Sequence, residues 1–317
     1  MGVGEDGTGD REVIPLFPLE TPLFPGVVLP LQIFEPRYRQ LVADLSALPE
    51  GTPRRFGVVA IRQGWEVERV APAEALFDVG CTAMLRVVAP QSDGGYQVVA
   101  VGDERFRLLE VLAPADLDEH AVPAGGGETD IGAGAPPTYL RAVVEWLHEE
   151  EAAEEAAGDA EGLIGVDTAP GLEPDDVVTE VARGSLELLA GNVRDLFARY
   201  VADVAIRQGG GDGLPDEVLD ALTSDDLMPE DDAAPAGIAD TAALLREVSD
   251  DARGLSYLVA SVALLTTEDR QALLAESATR RRLGMESRML RRELTLLRTL
   301  GAVPVPLRQF ATPLTPN

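Results

Sequence analysis

The first 147 residues alternate between short apolar runs and turn residues, a pattern typical of β-strands. The runs predict strands at 13–17, 27–34, 56–62, 75–79, 81–88, 96–101, 106–112 and 139–147. One helix interrupts the series, beginning at Pro36 in PRYRQLVADLSAL, with Leu41, Leu45 and Leu48 near one face. Many short strands at this spacing favour a closed or partly closed β-barrel over repeated βαβ units.

From residue 174 onward the apolar positions recur every three or four residues, which predicts helices. The predicted helices cover 174–207, 214–223, 240–250, 256–265 and 267 to about 300. In the last of them Leu283, Leu290, Leu294 and Leu297 form one apolar stripe, and Gly301 and Pro304 end the helix. The second half of the chain is therefore expected to form an α-helical bundle.

Acidic segments rich in glycine and proline separate and interrupt these two regions. The 317 residues carry 55 acidic and 26 basic side chains, a net charge of −29, and residues 114–240 alone hold 31 acids and 5 arginines. Segments of this composition bury too little apolar surface to become ordered. We predict a disordered N-terminus at 1–12, a first domain at 13–147 with an acidic, Gly-rich insertion at 114–137, an acidic linker at 148–172, a helical domain at 173–303 with an acidic loop at 224–239, and a tail at 304–317.

The residue types that are missing exclude several classes of enzyme. All 26 basic residues are arginine, so the chain has no lysine for a Walker A motif, a Ser–Lys dyad or a Schiff base. Cys81 is the single cysteine, and His120 and His148 stand in different polar surroundings, which leaves little material for a zinc site. We expect a protein that is not an enzyme and that has no cofactor and no metal.

Charge and hydropathy limit the partners and the location. The acidic middle segment repels phosphate backbones, which argues against nucleic acid as a partner. The arginines between Arg280 and Arg292 are interpreted as a solvated helix face rather than an RNA-binding surface. No apolar run reaches the ~18 residues of a membrane span, and MGVGEDGTGD lacks the features of a secretory signal. The expected location is the cytoplasm, away from the membrane, and the oligomeric state is left open.

One stretch of the sequence carries a resemblance to a known family. PLFPLETPLFPGVVLPLQIFEPRYRQLV at 15–42 resembles the opening of the Lon protease N-terminal, or substrate-binding, domain, and GDERFRLLEV at 102–111 is similar to a later strand of it. The resemblance covers about residues 13–300. It implies an α+β fold, in which an N-terminal PUA-like β-barrel is followed by an α-helical bundle. A chain of this length without lysine looks like a stand-alone Lon-domain protein that lacks the ATPase and protease modules.

The same resemblance suggests where a peptide would bind. Phe34, Leu31 and Tyr38 could line an apolar groove, or they could pack the helix at 36–48 on the barrel. Phe24 begins a Phe-Pro-Gly turn next to them. Glu35 and Arg37 could pair with each other or with Arg105 or Arg107, and a structural ion pair is weighed against a ligand contact. The candidate peptide-binding residues are Phe24, Leu31, Phe34, Glu35, Arg37 and Tyr38.

Three functions remain to be distinguished. The favoured one is a non-catalytic module that binds exposed or unfolded polypeptide segments and delivers them to a protease or chaperone. The alternative is a structural or oligomerisation adaptor with no peptide affinity of its own. RNA binding, as in the wider PUA-like class, is opposed by the charge. Saturable binding of unfolded chains would identify the peptide-binding module, and a stable complex of fixed stoichiometry would identify the adaptor. A steep salt dependence of binding would identify RNA binding.

Overall fold

The computed structural model describes residues 11–62, 73–112, 137–149, 174–208 and 251–300. The described residues form two compact units. The first consists of those up to His148 together with Arg270–Ala275, and the second of those within Glu149–Asp269 and Glu276–Asn317. The predicted segments 1–12, 114–137, 148–172, 224–239 and 304–317, and the helices predicted at 214–223 and 240–250, lie outside the described residues. The exceptions are a few terminal positions: Arg11 and Glu12, for instance, belong to a strand.

The first unit is built on a six-stranded sheet, counted over the described residues. Its strands are β1 (Arg11–Leu19), β2 (Val28–Ile33), β3 (Arg55–Ala60), β4 (Val79–Pro90), β5 (Tyr96–Leu112) and β6 (Arg141–Leu147). They are arranged in the order β2–β5–β4–β3–β1–β6, and β5 pairs in addition with β6. β1 and β3 run parallel, and the other pairs are antiparallel.

The predicted barrel is confirmed only in part. The expected α+β fold is observed as a mixed α/β structure of one six-stranded sheet and helices, and the sheet of the described residues does not form a closed PUA-like barrel. Among the described residues β2 pairs with β5 alone, so the sheet keeps an edge at β2. Pro30 lies within this strand, and proline is tolerated in sheets mainly at such edges because it has no N–H to donate.

The strand predicted at 75–79 is not formed, and those predicted at 96–101 and 106–112 are observed as one strand, β5. The segment 75–79 is not a strand: a short 3-10 helix covers Ala73–Ala75, and β4 begins at Val79. The turn predicted between 101 and 106 does not form, and β5 runs through it to Leu112. The register shifts in β4 and β5 accommodate this length, since a β-bulge bends a strand without ending it.

The core of the first unit lies under this sheet. Its residues are 0–9% exposed, and one cluster consists of Ile14, Leu16, Val59, Ala75, Leu76, Phe106, Leu140, Ala142 and Val144. Cys81 is also fully buried, as a small apolar residue in a strand is expected to be. Helix α1 (Pro36–Ala47) has Pro36 in its first turn and buries Leu41 and Leu45, which confirms the face predicted for it.

The second unit is helical. Helix α2 spans Pro174–Gln208, α3 spans Ala252–Val262, α4 spans Thr267–Ala275 and α5 spans Thr279–Leu300, and α4 contributes Arg270–Ala275 to the first unit. The long helix predicted from 267 to 300 is therefore two helices. The predicted stripe of α5 is confirmed, because its four leucines are 0–6% exposed within a cluster that includes Phe197 and Leu255. No helix in the described ranges is long and apolar enough to cross a membrane.

Candidate functional site

Two of the predicted peptide-binding residues lie in the core. Phe24 is 1% exposed, and Tyr38 is 7% exposed. The ring of Tyr38 stacks on Phe17 with 4.0 Å between the ring centroids, and Phe17 also contacts Phe56. Burial raises the pKa of the Tyr38 hydroxyl, partly offset by the Arg37 charge. These side chains hold the segment in place.

Glu35 and Arg37 pair with each other, one of the two pairings considered from the sequence. The closest distance between their charged atoms is 2.8 Å, and the Arg37 guanidinium lies 4.6 Å from the Tyr38 ring centroid. Arg105, considered as another partner, is buried and donates to the Leu274 carbonyl (2.8 Å). Because both members of the Glu35–Arg37 pair are partly exposed, the pair itself contributes about 0–1 kcal/mol to stability.

Leu31 and Phe34 are the two apolar candidates that reach solvent. Leu31 is half-buried within β2. Phe34 directly follows the strand, and its side chain is 72% exposed, a large exposed fraction for a phenylalanine. The structure thus separates the six predicted residues into two buried anchors, a surface ion pair and two accessible apolar side chains. Their role in binding stays a prediction.

A larger apolar surface lies on the neighbouring strands. The pairing of β2, β5 and β4 places Val28, Val101 and Met84 in one cross-strand row, and Pro30, Val99 and Val87 in the next. These six residues, which we call the apolar outer face, lie opposite the face that buries Val98 and Ala100. Val28 is 60% exposed and Val87 is 54% exposed. Antiparallel sheets usually present polar side chains to water on the face away from the core.

The sequence contains a signal for this surface that our residue-by-residue prediction missed. The runs VVLPL, LRVVAP and YQVVAV are apolar at consecutive positions rather than at every second one. In a strand, consecutive apolar residues point to opposite faces, so both faces of the sheet become apolar. The candidate residues between Phe24 and Tyr38 include only one strand of this face, β2, whereas β2, β5 and β4 together form it.

The turn that leads into β2 is held by two glycines. Gly26 has a positive φ of 76°, a conformation that residues with a side chain rarely adopt, and its N–H donates to the Gly102 carbonyl (2.8 Å). A Cβ on Gly102 would lie 2.0 Å from the backbone oxygen of Phe24. The close approach of these backbones requires glycine at 102, and it positions Val28 beside Val101.

Metal-binding residues do not cluster in the described part of the chain. Within those ranges no group of three or more His, Cys, Asp or Glu side chains could hold a metal ion. His148 is exposed at the end of the first unit, and His120 lies outside the described residues.

Comparison with known proteins identifies the family. The family model of the ATP-dependent protease La (LON) substrate-binding domain matches residues 13–292. Lon protease 2 of Syntrophobacter fumaroxidans is 29% identical over 104 residues, which cover 32% of this chain and 12% of that protein's length.

Two solved structures are similar to the chain. One is a Lon N-terminal domain protein from Xanthomonas campestris (19% identity, TM-score 0.41, 86% of this chain and 95% of that chain covered). The other is the N-terminal domain of Mycobacterium avium complex Lon protease (13% identity, TM-score 0.42, 88% and 98% covered). The family model matches most of the sequence, and the chain therefore belongs to the LON substrate-binding domain family.

Proposed function

We propose that this protein binds exposed, apolar segments of other polypeptides in an extended conformation, on the apolar outer face and along the edge of β2. The observation that carries the proposal is the pair of cross-strand apolar rows that faces solvent. Membership in a substrate-binding family agrees with it, since the substrates of a protease are polypeptides.

Burial of the apolar outer face would contribute favourable free energy to ligand binding. Burying apolar surface contributes about 25 cal/mol per Å² removed from water, and it does not require a particular ligand sequence. Among the large apolar residues described in the first unit, Val28, Val87 and Phe34 have the highest exposed fractions. Unfolded segments expose the apolar side chains that such a surface would cover, whereas folded proteins hide theirs.

The free edge of β2 gives an extended segment a second type of contact. An edge strand presents N–H and C=O groups that can pair with an added strand. Pro30 removes one donor from β2. The added pairing would therefore be short, which suits transient capture of many sequences better than permanent association. The net charge of −29 on the protein favours the binding of polypeptides that carry basic residues.

The test is fluorescence anisotropy of a labelled, permanently unfolded polypeptide titrated with the full chain. The folded form of the same polypeptide is the control ligand. The double variant Val28→Gln/Val87→Gln keeps chain length and charge while making both exposed positions polar. We expect the unfolded polypeptide to bind saturably, and the double variant to bind it at least tenfold more weakly. Phe34→Ala tests the residue predicted from the resemblance.

Leu188→Gln provides the matched control, because Leu188 is 78% exposed on helix α2 in the second unit. It should leave binding unchanged. Absence of saturable binding to the unfolded polypeptide, or equal affinities of the double variant and the unmodified protein, would overturn the proposal.

The adaptor alternative has one observation in its favour. Leu188 on α2 and Leu296 and Leu300 on α5 are 78%, 41% and 69% exposed, so the helical unit also presents apolar side chains. Surfaces of this kind mediate association between chains. Sedimentation equilibrium of the unmodified protein and Leu188→Gln tests it: an assembly of fixed stoichiometry that the substitution dissociates would favour the adaptor function.

A further inference from the structure

A pocket opens on the face of the sheet opposite the apolar outer face. Its volume is about 410 Å³, and it is lined by Ser46, Arg54, Leu85, Arg86, Val88 and Tyr96. All six belong to the first unit. Val88 and Leu85 pair in register with the buried Val98 and Ala100 of β5, which places them on the core side of the sheet.

Arg86 enters this pocket because of an irregularity in β4. Leu85 pairs with Ala100 and Val87 pairs with Val99, so Arg86 is an extra residue without a partner on β5. A β-bulge of this type changes the direction of a side chain, and bulges occur often beside functional sites. In a regular strand Leu85 and Val87, two residues apart, would lie on the same face. Because Arg86 is an extra residue, they pair with consecutive residues of β5 and lie on opposite faces, Leu85 on the core side and Val87 on the apolar outer face.

The pocket holds hydrogen-bond donors that the described residues leave unused. The Arg86 guanidinium and the Tyr96 hydroxyl form no hydrogen bond or ion pair with any described residue. Arg54 donates one long bond, 3.3 Å, to the Leu48 carbonyl. The Ser46 hydroxyl donates to the Val42 carbonyl (2.6 Å), so Ser46 has no proton to offer a ligand. Three residues with donor side chains thus line one cavity, and the six lining residues include no carboxylate.

Arg86 lines the pocket without an ion-pair partner among the described residues of a strongly acidic chain. The sequence has 55 acidic side chains for 26 arginines, and Arg55, Arg62, Arg107 and Arg298 each form an ion pair at 2.8–3.2 Å. Arg86 has no such partner among the described residues although carboxylates are abundant. A guanidinium presents a planar fork of donors that matches a carboxylate in two parallel hydrogen bonds.

The other residues that line the pocket restrict the chemical class of ligand that fits it. Leu85, Val88 and the Tyr96 ring provide apolar walls next to the donors. A free phosphate has no apolar part to place there, whereas the last residue of a polypeptide carries a carboxylate and a side chain on the same carbon. We propose that this pocket binds the C-terminal carboxylate of a polypeptide that ends in an apolar residue. The assignment of a polypeptide as ligand rests on the proposed function; the anion site itself rests on the pocket.

Two peptides of identical sequence test the assignment with the full chain. Both are N-acetylated, fluorescently labelled and end in leucine; one has a free C-terminal carboxylate and the other a C-terminal amide. We expect the free acid to bind about tenfold or more tightly than the amide, since hydrogen bonds between a guanidinium and a carboxylate are stronger than those to a neutral amide. Arg86→Gln should remove this preference, and Tyr96→Phe should reduce it. Inorganic phosphate at millimolar concentration should not compete with the peptide.

Arg199→Gln is the matched control, because Arg199 is exposed on α2 and forms no ion pair among the described residues. It changes the net charge by the same amount and should leave the preference intact. Thermal unfolding checks that Arg86→Gln folds. Equal affinities for acid and amide, or a preference that survives Arg86→Gln, would overturn the pocket assignment.

The outcomes separate the pocket from the proposed function. If the unfolded polypeptide binds in a way that depends on Val28 and Val87 while both short peptides bind equally, the outer face is supported and the pocket is wrong. If the free acid alone binds and the unfolded polypeptide does not, the pocket is supported and the outer face is wrong. Competition by inorganic phosphate would reassign the pocket to a free anion and overturn the C-terminal proposal.

Discussion

The ring of Tyr38 lies on the ring of Phe17, with 4.0 Å between centroids and 28° between their planes. Tyr38 comes from α1 and Phe17 from β1, so the contact fastens the first helix to the sheet. Four residues before Tyr38, Phe34 is 72% exposed. Two aromatic residues predicted to act together therefore have different surroundings, and their substitutions should have different effects.

Tyr38→Ala should destabilise the protein by about 3–5 kcal/mol, because it removes a buried aromatic ring and leaves a cavity. Phe34→Ala should change the free energy of unfolding by about 0.5 kcal/mol or less, since its side chain is already in water. Urea unfolding of both variants measures the difference. A Tyr38→Ala variant as stable as the unmodified protein would contradict the packing described here.

Gly102→Ala should destabilise the first unit. A Cβ at this position would lie 2.0 Å from the Phe24 oxygen and 2.9 Å from the Phe24 carbonyl carbon, so the turn before β2 must shift. We expect a loss of about 1–3 kcal/mol. Gly191→Ala is the control with the opposite sign: nothing lies within 4 Å of its added Cβ, and alanine favours the helix by about 0.5–1 kcal/mol. Thermal unfolding of the two variants distinguishes them.

Arg282→Met should destabilise the helical unit by about 3–5 kcal/mol, because the polar groups that bind the buried guanidinium would be left without their hydrogen bonds. It contacts Glu149 (3.1 Å), Ser256 (2.8 Å) and the Glu276 carbonyl (2.6 Å), and it lies 4.1 Å from the Tyr257 ring centroid.

Arg281→Met is the control on the next residue. Arg281 is 60% exposed and pairs with Glu276, so its loss should cost about 1 kcal/mol or less. Chemical unfolding measures both variants, and equal losses would refute a special role for Arg282.

Glu286 should make stability depend on pH. Its side chain is fully buried, and neither carboxyl oxygen has a hydrogen-bond partner among the residues that the structure describes. Burial raises its pKa well above the usual value, and the Arg282 charge opposes this only in part. In the unfolded chain the Glu286 carboxyl has a pKa of about 4.3 and loses its proton above that pH. The folded protein therefore keeps the carboxyl protonated at pH values where the unfolded chain carries a carboxylate. Stability from this group is full below the unfolded pKa and falls as the pH rises toward the folded pKa.

Glu286→Gln removes the titration while keeping the side-chain size. The free energy of unfolding of the variant, minus that of the unmodified protein, should increase from pH 4 to pH 8. Glu286→Met should be more stable than the unmodified protein at pH 7, since it also removes the unpaired oxygens. Urea unfolding at several pH values gives the difference, and a value that is constant with pH would show that Glu286 ionises in the folded state.

The elements that depend on local pattern were predicted well. The 3.6-residue period of α5 correctly identified Leu283, Leu290, Leu294 and Leu297 as one buried stripe. The strands at 27–34 and 139–147 lie within one or a few residues of β2 and β6. The single helix predicted from 267 to about 300 was wrong, because the break at Glu276–Ala278 between α4 and α5 contains no proline or glycine, the residues that usually mark a helix end.

The exposure of the candidate peptide-binding residues could not be predicted from the sequence. Phe24 and Phe34 are both aromatic and lie in the same segment, yet one is 1% and the other 72% exposed. Residue type indicates that a side chain prefers to be buried, but not which neighbours bury it. Val28, Val101 and Met84 come from three strands, and their alignment depends on register, which the bulge at Arg86 changes.

The sequence by itself determined the composition-dependent properties: the acidic charge, the absence of lysine chemistry, the change from strands to helices, and the family. The first three depend on residue counts and local periodicity, and the family on the resemblance of the segments 15–42 and 102–111 to the Lon N-terminal domain; none of them needs long-range contacts. Only the tertiary structure decided that β2 remains an edge, that both faces of β2, β5 and β4 are apolar, and that Arg86, Arg54 and Tyr96 share a pocket. Those features join residues far apart in the chain, and strand pairing brings them together.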